Sequence, residues 1–119
     1  LGLEHLTVDD DEPALAGIAL SAEAIAAVGA PEDWGDLVDV PRSLQGNRVA
    51  YLAREQKDRK SVRVSLRSNP PWEVSPVAER FGGGGHRQAA GCTIPGNLEA
   101  CLKELLPRLR EQVREGRSG

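Results

Sequence analysis

At 119 residues the chain has room for one domain around one modest core, and its net charge of −3 excludes a strongly basic polyanion binder. Aromatic residues make up only 3%, which excludes a broad base-stacking platform: Trp34, Trp72, Tyr51 and Phe81 are the whole supply. The two cysteines, Cys92 and Cys101, form no Cys-x-x-Cys pair, which sets aside a disulfide framework or zinc site and favours reduced thiols in a cytoplasmic protein.

In chain order, Leu1 to Val8 reads as a leading strand or a linker remnant, and the chain opens in mid-pattern, as a piece of a longer protein would. Asp9-Asp10-Asp11-Glu12-Pro13 reads as a solvated acidic turn. A metal site there needs converging ligands, and only His5 lies near it in sequence. Ala14 to Leu20 is apolar on both faces, the pattern of a buried strand. Ser21 caps a short helix over Ala22 to Val28, which Gly29 stops. Pro31-Glu32-Asp33 opens a further loop or helix, and Asp36 to Leu44 is helical in part, weakened at Pro41. Gln45-Gly46-Asn47 is a turn.

Arg48 to Glu55 reads as a strand with Val49, Tyr51 and Ala53 on one face. Ser61 to Ser68 alternates cleanly: Val62, Val64 and Leu66 face one way, and Arg63, Ser65 and Arg67 the other. Lys57-Asp58-Arg59-Lys60 joins the two as an antiparallel hairpin. Ser75 to Phe81 reads as a short helix with Ser75 as N-cap, Pro76 in the first turn and Gly82 at the C′ position. Ala90 to Ile94 is a strand ended by Pro95-Gly96. Asn97 caps a last helix in which Leu98, Leu102, Leu105, Leu106, Leu109 and Val113 recur at helical spacing. Pro107 is predicted to kink or restart it, and residues 116–119 form a disordered tail. The fold class is mixed α/β: one domain, with a mixed sheet of about five strands and helices packed on it. No apolar run has membrane length, and no signal-peptide pattern is present.

The chemistry concentrates in Gly82-Gly83-Gly84-Gly85-His86-Arg87-Gln88-Ala89-Ala90-Gly91. Glycines expose backbone N–H groups and admit φ > 0, and consecutive N–H groups form a concavity for anions. His86 and Arg87 follow as side-chain donors to phosphate. The order helix–glycines–strand is the reverse of a dinucleotide fingerprint or a Walker loop, so neither fits. A flexible linker is the bland reading, but it gains nothing from His86-Arg87 and the small residues beyond. Arg67 and Ser68 end a strand, where ligand-facing side chains gather, and Arg67 offers a planar fork matched to phosphate. Arg63 on the same face reads equally well as a solvated residue, and Arg42, at the bend after Pro41, is a weaker candidate. Two histidines far apart cannot supply a two-metal hydrolase centre, and no Ser/His/Asp or Cys/His constellation is evident.

Gly82 to Gly91, preceded by Ser65-Leu66-Arg67-Ser68, resembles the Gly-Gly-Gly-His-x-x-Ala-Ala-Gly motif of the C-terminal, DHH-associated domain of DHH phosphoesterases. The strand pair, the helix into the glycines and Pro41-Arg42-Ser43 match the nanoRNase and pAp-phosphatase type in order and spacing, over most of the chain. The domain at the end of alanyl-tRNA synthetases also carries a glycine-rich loop but lacks the Gly-His step seen at Gly85-His86. The resemblance implies that residues 14–115 bind substrate and that residues 1–13 lead from an N-terminal DHH domain holding manganese. This chain has no Asp-His-His motif, so no catalytic or metal-binding residue is assigned to it. It implies binding of a single-stranded oligonucleotide or nucleoside phosphate by Arg67, His86 and the backbone of Gly83, Gly84 and Gly85, with the DHH domain as partner in one polypeptide; the reading of the residues themselves adds Ser68, Arg87 and Arg42 to the substrate-binding set. The alternatives are a stand-alone single-strand-binding module and a structural or dimerising domain.

Overall fold

The computed structural model describes residues 5–28 and 34–115. Its elements in chain order are β1 (Leu6–Val8), β2 (Leu15–Leu20), α1 (Ala22–Val28), α2 (Trp34–Arg42), β3 (Val49–Glu55), β4 (Ser61–Ser68), α3 (Ser75–Arg80), β5 (Gly84–His86), β6 (Ala89–Pro95) and α4 (Leu98–Glu115). They build one six-stranded sheet in the order β1-β2-β3-β4-β6-β5. β2 and β3 run parallel, and every other neighbouring pair is antiparallel. The parallel step needs a crossover, and α1 and α2 supply it. This is the mixed α/β fold that the patterning predicts, with β1 and β5 as short outer strands. The stop at Gly29, the segment Pro31-Glu32-Asp33 and the tail 116–119 lie outside the described residues.

Alternation sorts the strand side chains between two layers. On one face Val49, Tyr51, Val62, Val64, Leu66, Cys92 and Ile94 meet Val77 and Ala78 of α3 and Leu105, Leu109 and Val113 of α4. On the other, Ile18, Leu20 and Leu52 meet Val38 of α2, with Trp34 and Leu37 alongside. β2 feeds both layers, which is why its run lacks alternation. Tyr51 lies under α4, and burial pushes its phenol up to about 12.

Two of the three expected caps form. Ser21 Oγ accepts from the Ala24 N–H at 3.1 Å, and Asn97 Oδ1 accepts from the Ala100 N–H at 2.9 Å. Ser75 is a correction: the cap position of α3 falls on Val74, with no side-chain hydrogen bond, and Ser75 and Pro76 enter the first turn. α4 continues through Pro107 to Glu115 without a break; Pro107 is exposed, so its ring displaces no core side chain. The acidic turn is solvated at Asp10 and Asp11, but Asp9 is a correction. Asp9 is not solvated: its carboxylate takes Arg110 Nε and Nη2 at 3.0 Å each, and the Glu12 N–H at 2.9 Å. Burial raises the Asp9 pKa, but Arg110 and the backbone donors outweigh it, and the net shift is downward.

Glu55 performs a second tie. Its Oε1 accepts from the Ala22 N–H and its Oε2 from the Leu98 N–H, both at 2.9 Å. One carboxylate at the end of β3 thus caps α1 and α4 together, and anions are favoured at helix N-termini. The two N–H bonds hold its pKa below the ordinary carboxylate range.

Candidate functional site

The glycine run divides into parts with different duties. Gly82 adopts φ +82° and ends α3; its N–H reaches Glu79 O at 3.0 Å, and the Gly83 N–H reaches Ala78 O at 2.8 Å. A Cβ on Gly83 would lie 2.1 Å from Gly91 O, so β6 passes too close for any side chain there. Gly85 has φ +147°, and a Cβ on it would lie 2.6 Å from Ala89 O. Gly84 differs: it has no positive φ, and a Cβ there would meet nothing within 4 Å. The fold therefore requires Gly82, Gly83 and Gly85 but places no steric demand on Gly84.

The run is a strand rather than an open loop, which corrects the expected concavity of consecutive N–H groups. The Gly83 N–H is committed to α3, and Gly84–His86 form the edge strand β5, which turns only alternate N–H groups away from β6. The loop before α3 anchors this hairpin. Val74 N–H donates to Arg87 O at 2.7 Å, Ser68 N–H to Gln88 O at 3.1 Å, and Gln88 Nε2 to Trp72 O at 3.1 Å.

The register then gathers the donors. Arg67 pairs with Ala89, and Ala89 pairs with His86. Directly opposed residues share a face, so Arg67 and His86 flank the Ala89 methyl, their Cα atoms about 10 Å apart across two strand spacings. The next row on that face is Ser65, Gly91 and Gly84, and the one beyond holds Arg63 and Thr93. α3 and α4 cover the opposite face, and α2 packs over β2, β3 and β4. Arg63 on β4, Thr93 on β6 and His86 on β5 remain exposed. The result is a shallow floor of small residues walled by cationic and imidazole donors.

The remaining candidates separate. Ser68 faces the other way: it is 1% exposed, and its Oγ donates to Trp72 O at 2.7 Å, so its hydroxyl serves the fold. Arg42 ends α2, and its carbonyl accepts from Asn69 Nδ2 at 3.1 Å, just beyond β4; its guanidinium pairs with Asp39 at 3.0 Å. Arg87 is exposed at the hairpin tip. Tyr51 is buried, Arg54, Arg48 and Arg108 lie over the rings of Trp34, Trp72 and Phe81 respectively, and base stacking gains no free platform.

Residues 19–115 match the DHHA1 domain. The chain belongs to the DHHA1 family. Its relatives include the bifunctional oligoribonuclease and PAP phosphatase NrnA of Thermus thermophilus, 33% identical over 98 residues, which are 82% of this chain and 30% of that protein. An exopolyphosphatase-related protein from Bacteroides fragilis superposes with a TM-score of 0.80 at 25% identity, over 96% of this chain and 34% of that one. The pGpG-specific phosphodiesterase PggH from Vibrio cholerae shares the fold, with a TM-score of 0.66 at 13% identity over 95% of this chain and 36% of that one. The DHHA1 chain thus spans about a third of the length of these relatives.

Among the described residues of the DHHA1 chain, no group of three His, Cys, Asp or Glu side chains is placed to hold a metal ion. Among the described residues, no helix is long and apolar enough to cross a membrane. One residue of the open face escapes the sequence reading. Arg54 pairs directly with Arg63 across the β3–β4 hairpin, so it belongs to the same face. The signal was there: alternation through Ala50 and Leu52 continues to Arg54.

Proposed function

We propose that this chain is the substrate-holding domain of a manganese-dependent DHH-family phosphoesterase acting on short oligonucleotides or pAp. The observation that carries the reading is the row Arg67–Ala89–His86, with Gly84 beside it as the one glycine of the run that the fold does not need. Arg67 offers a planar fork to a terminal phosphate, and His86 offers a second donor from the far side of the floor. Gly84 and Gly91 let the sugar-phosphate chain approach the backbone. The name of the Thermus relative supports the substrate class.

On this reading the metal belongs to an accompanying DHH domain. Bound there, manganese would activate the attacking water. This chain's share is to bind and orient. An open face, unlike a closed pocket, suits a ligand that a second domain covers from above.

The test is calorimetric titration with a 5′-phosphorylated dinucleotide. Arg67→Ala and His86→Ala should each cost about 1.5–3 kcal/mol, the value of a hydrogen bond to a charged group. Unchanged affinity in both variants would place the phosphate site elsewhere.

A further inference from the structure

Two arginines on this face of the sheet stand together without an anionic partner among the described residues. Arg54 and Arg63 stand directly opposite each other on β3 and β4. Like charges in that relation are destabilising. Among the described residues neither makes an ion pair. Arg63 is exposed and donates from Nη1 to Thr93 Oγ1 at 3.1 Å. Arg54 lies over the Trp34 ring at 4.6 Å, and its Nε is buried with no hydrogen-bond partner. Burial, then the nearby Arg63 charge, push the Arg54 pKa down, the mark of a cation held where it is poorly solvated. A fold that keeps two opposed cations, one with an unpaired donor, gains most when an anion lies between them.

We propose that Arg54 and Arg63 form a second phosphate subsite, which takes an internal phosphate of an oligonucleotide whose terminal phosphate is held at Arg67 and His86. The inference rests on the reading of the open face given under Proposed function. Arg63 and Arg67 are four positions apart on β4, so the two subsites are about 13 Å apart. Adjacent phosphates of a nucleotide chain are much closer than that. A nucleoside bisphosphate such as pAp therefore engages one subsite, while a trinucleotide reaches both. The track between them is Ser65 flanked by Gly91 and Gly84, the flattest part of the face. The substrate class that uses the whole surface is the short oligonucleotide.

The experiment titrates the full chain with two probes, pAp and a 5′-phosphorylated triribonucleotide. The wild type should bind the trinucleotide more tightly. Arg63 is exposed, so Arg63→Gln leaves the fold intact. It should weaken trinucleotide binding about tenfold, leave pAp within twofold, and reduce the slope of log K against log salt for the trinucleotide by about 0.7, the loss of one single-strand phosphate contact. Arg67→Ala should weaken both probes. In the NMR spectrum the Arg54 Nε–Hε signal should move with the trinucleotide and not with pAp. Equal effects of Arg63→Gln on both probes, no effect on either, or no trinucleotide preference in the wild type would each overturn the second subsite. If Arg63→Gln separates the probes while Arg67→Ala spares both, the terminal-phosphate assignment falls and the second subsite stands.

Discussion

Adjacent glycines in this chain do opposite work, and single substitutions can separate them. Gly85 lies at φ +147° with Ala89 O in the path of any Cβ, so Gly85→Ala strains both the backbone and the hairpin. Gly84 has open space where a Cβ would go. Gly84→Val is expected to keep its thermal midpoint within a degree or two yet lose at least tenfold in oligonucleotide affinity, because the new side chain stands on the open face in the row next to Arg67, Ala89 and His86. Gly85→Ala is expected to lower the midpoint markedly. A pair of melting curves beside a pair of titrations checks both; a Gly84→Val protein that melts early and binds normally per folded molecule would make that glycine structural. The face that Arg63, Ser65 and Arg67 share was legible because strand alternation is a local property. The duties of Gly83 and Gly85 were not, since they depend on β6 passing within van der Waals reach, which no spacing in the chain announces. Ser68 adjoins Arg67, and adjacent strand residues face opposite ways, so its hydroxyl lies in the buried layer and not on the open face.

Between elements, the longest-range information is carried by polar ties rather than by apolar pattern. Strand and helix runs, the β3–β4 hairpin and the caps at Ser21 and Asn97 follow from periodicity and cap chemistry, and the structure has them. What periodicity could not show is the parallel pairing of β2 with β3, the strand character of the glycine run, and Glu55. That residue ends an apolar strand, and nothing local marks it as the cap of helices that start 33 residues before it and 43 after it. Its pKa is depressed from 4.5 by the Ala22 and Leu98 N–H bonds. A depressed carboxylate contributes stability that is fully present above its unfolded pKa and is lost as pH falls through its lower folded value. Glu55→Gln is therefore expected to cost about 1–3 kcal/mol at neutral pH. The gap to the wild type should stay constant down to about pH 5 and close below the ordinary carboxylate pKa. Urea titrations at several pH values measure it, and a gap that persists unchanged at pH 2 would show that the cost lies in packing, not in charge.

For the whole molecule, the division between holding a phosphate and breaking its ester is the point on which the proposed function stands. The described residues place donors on one open face and no metal-ligand cluster anywhere among them. Hydrolysis of a phosphodiester at neutral pH requires an activated water and neutralisation of charge at phosphorus. Binding energy spent equally on substrate and transition state does not accelerate that step. The purified 119-residue chain is thus expected to bind short oligonucleotides with a Kd of about 10⁻⁴ M, weakening as salt rises, and to release no mononucleotide or phosphate when manganese is added. Supplying a DHH domain, fused or in trans, should confer manganese-dependent turnover and tighten binding, because two half-sites then close on one ligand. The fused protein also assigns roles: Arg67→Ala there should raise KM and lower kcat/KM while the metal content stays unchanged. Vigorous manganese-dependent turnover by the chain alone, abolished by a substitution within it, would require ligands that the open face does not supply, and the reading of this domain as the holding half would fail.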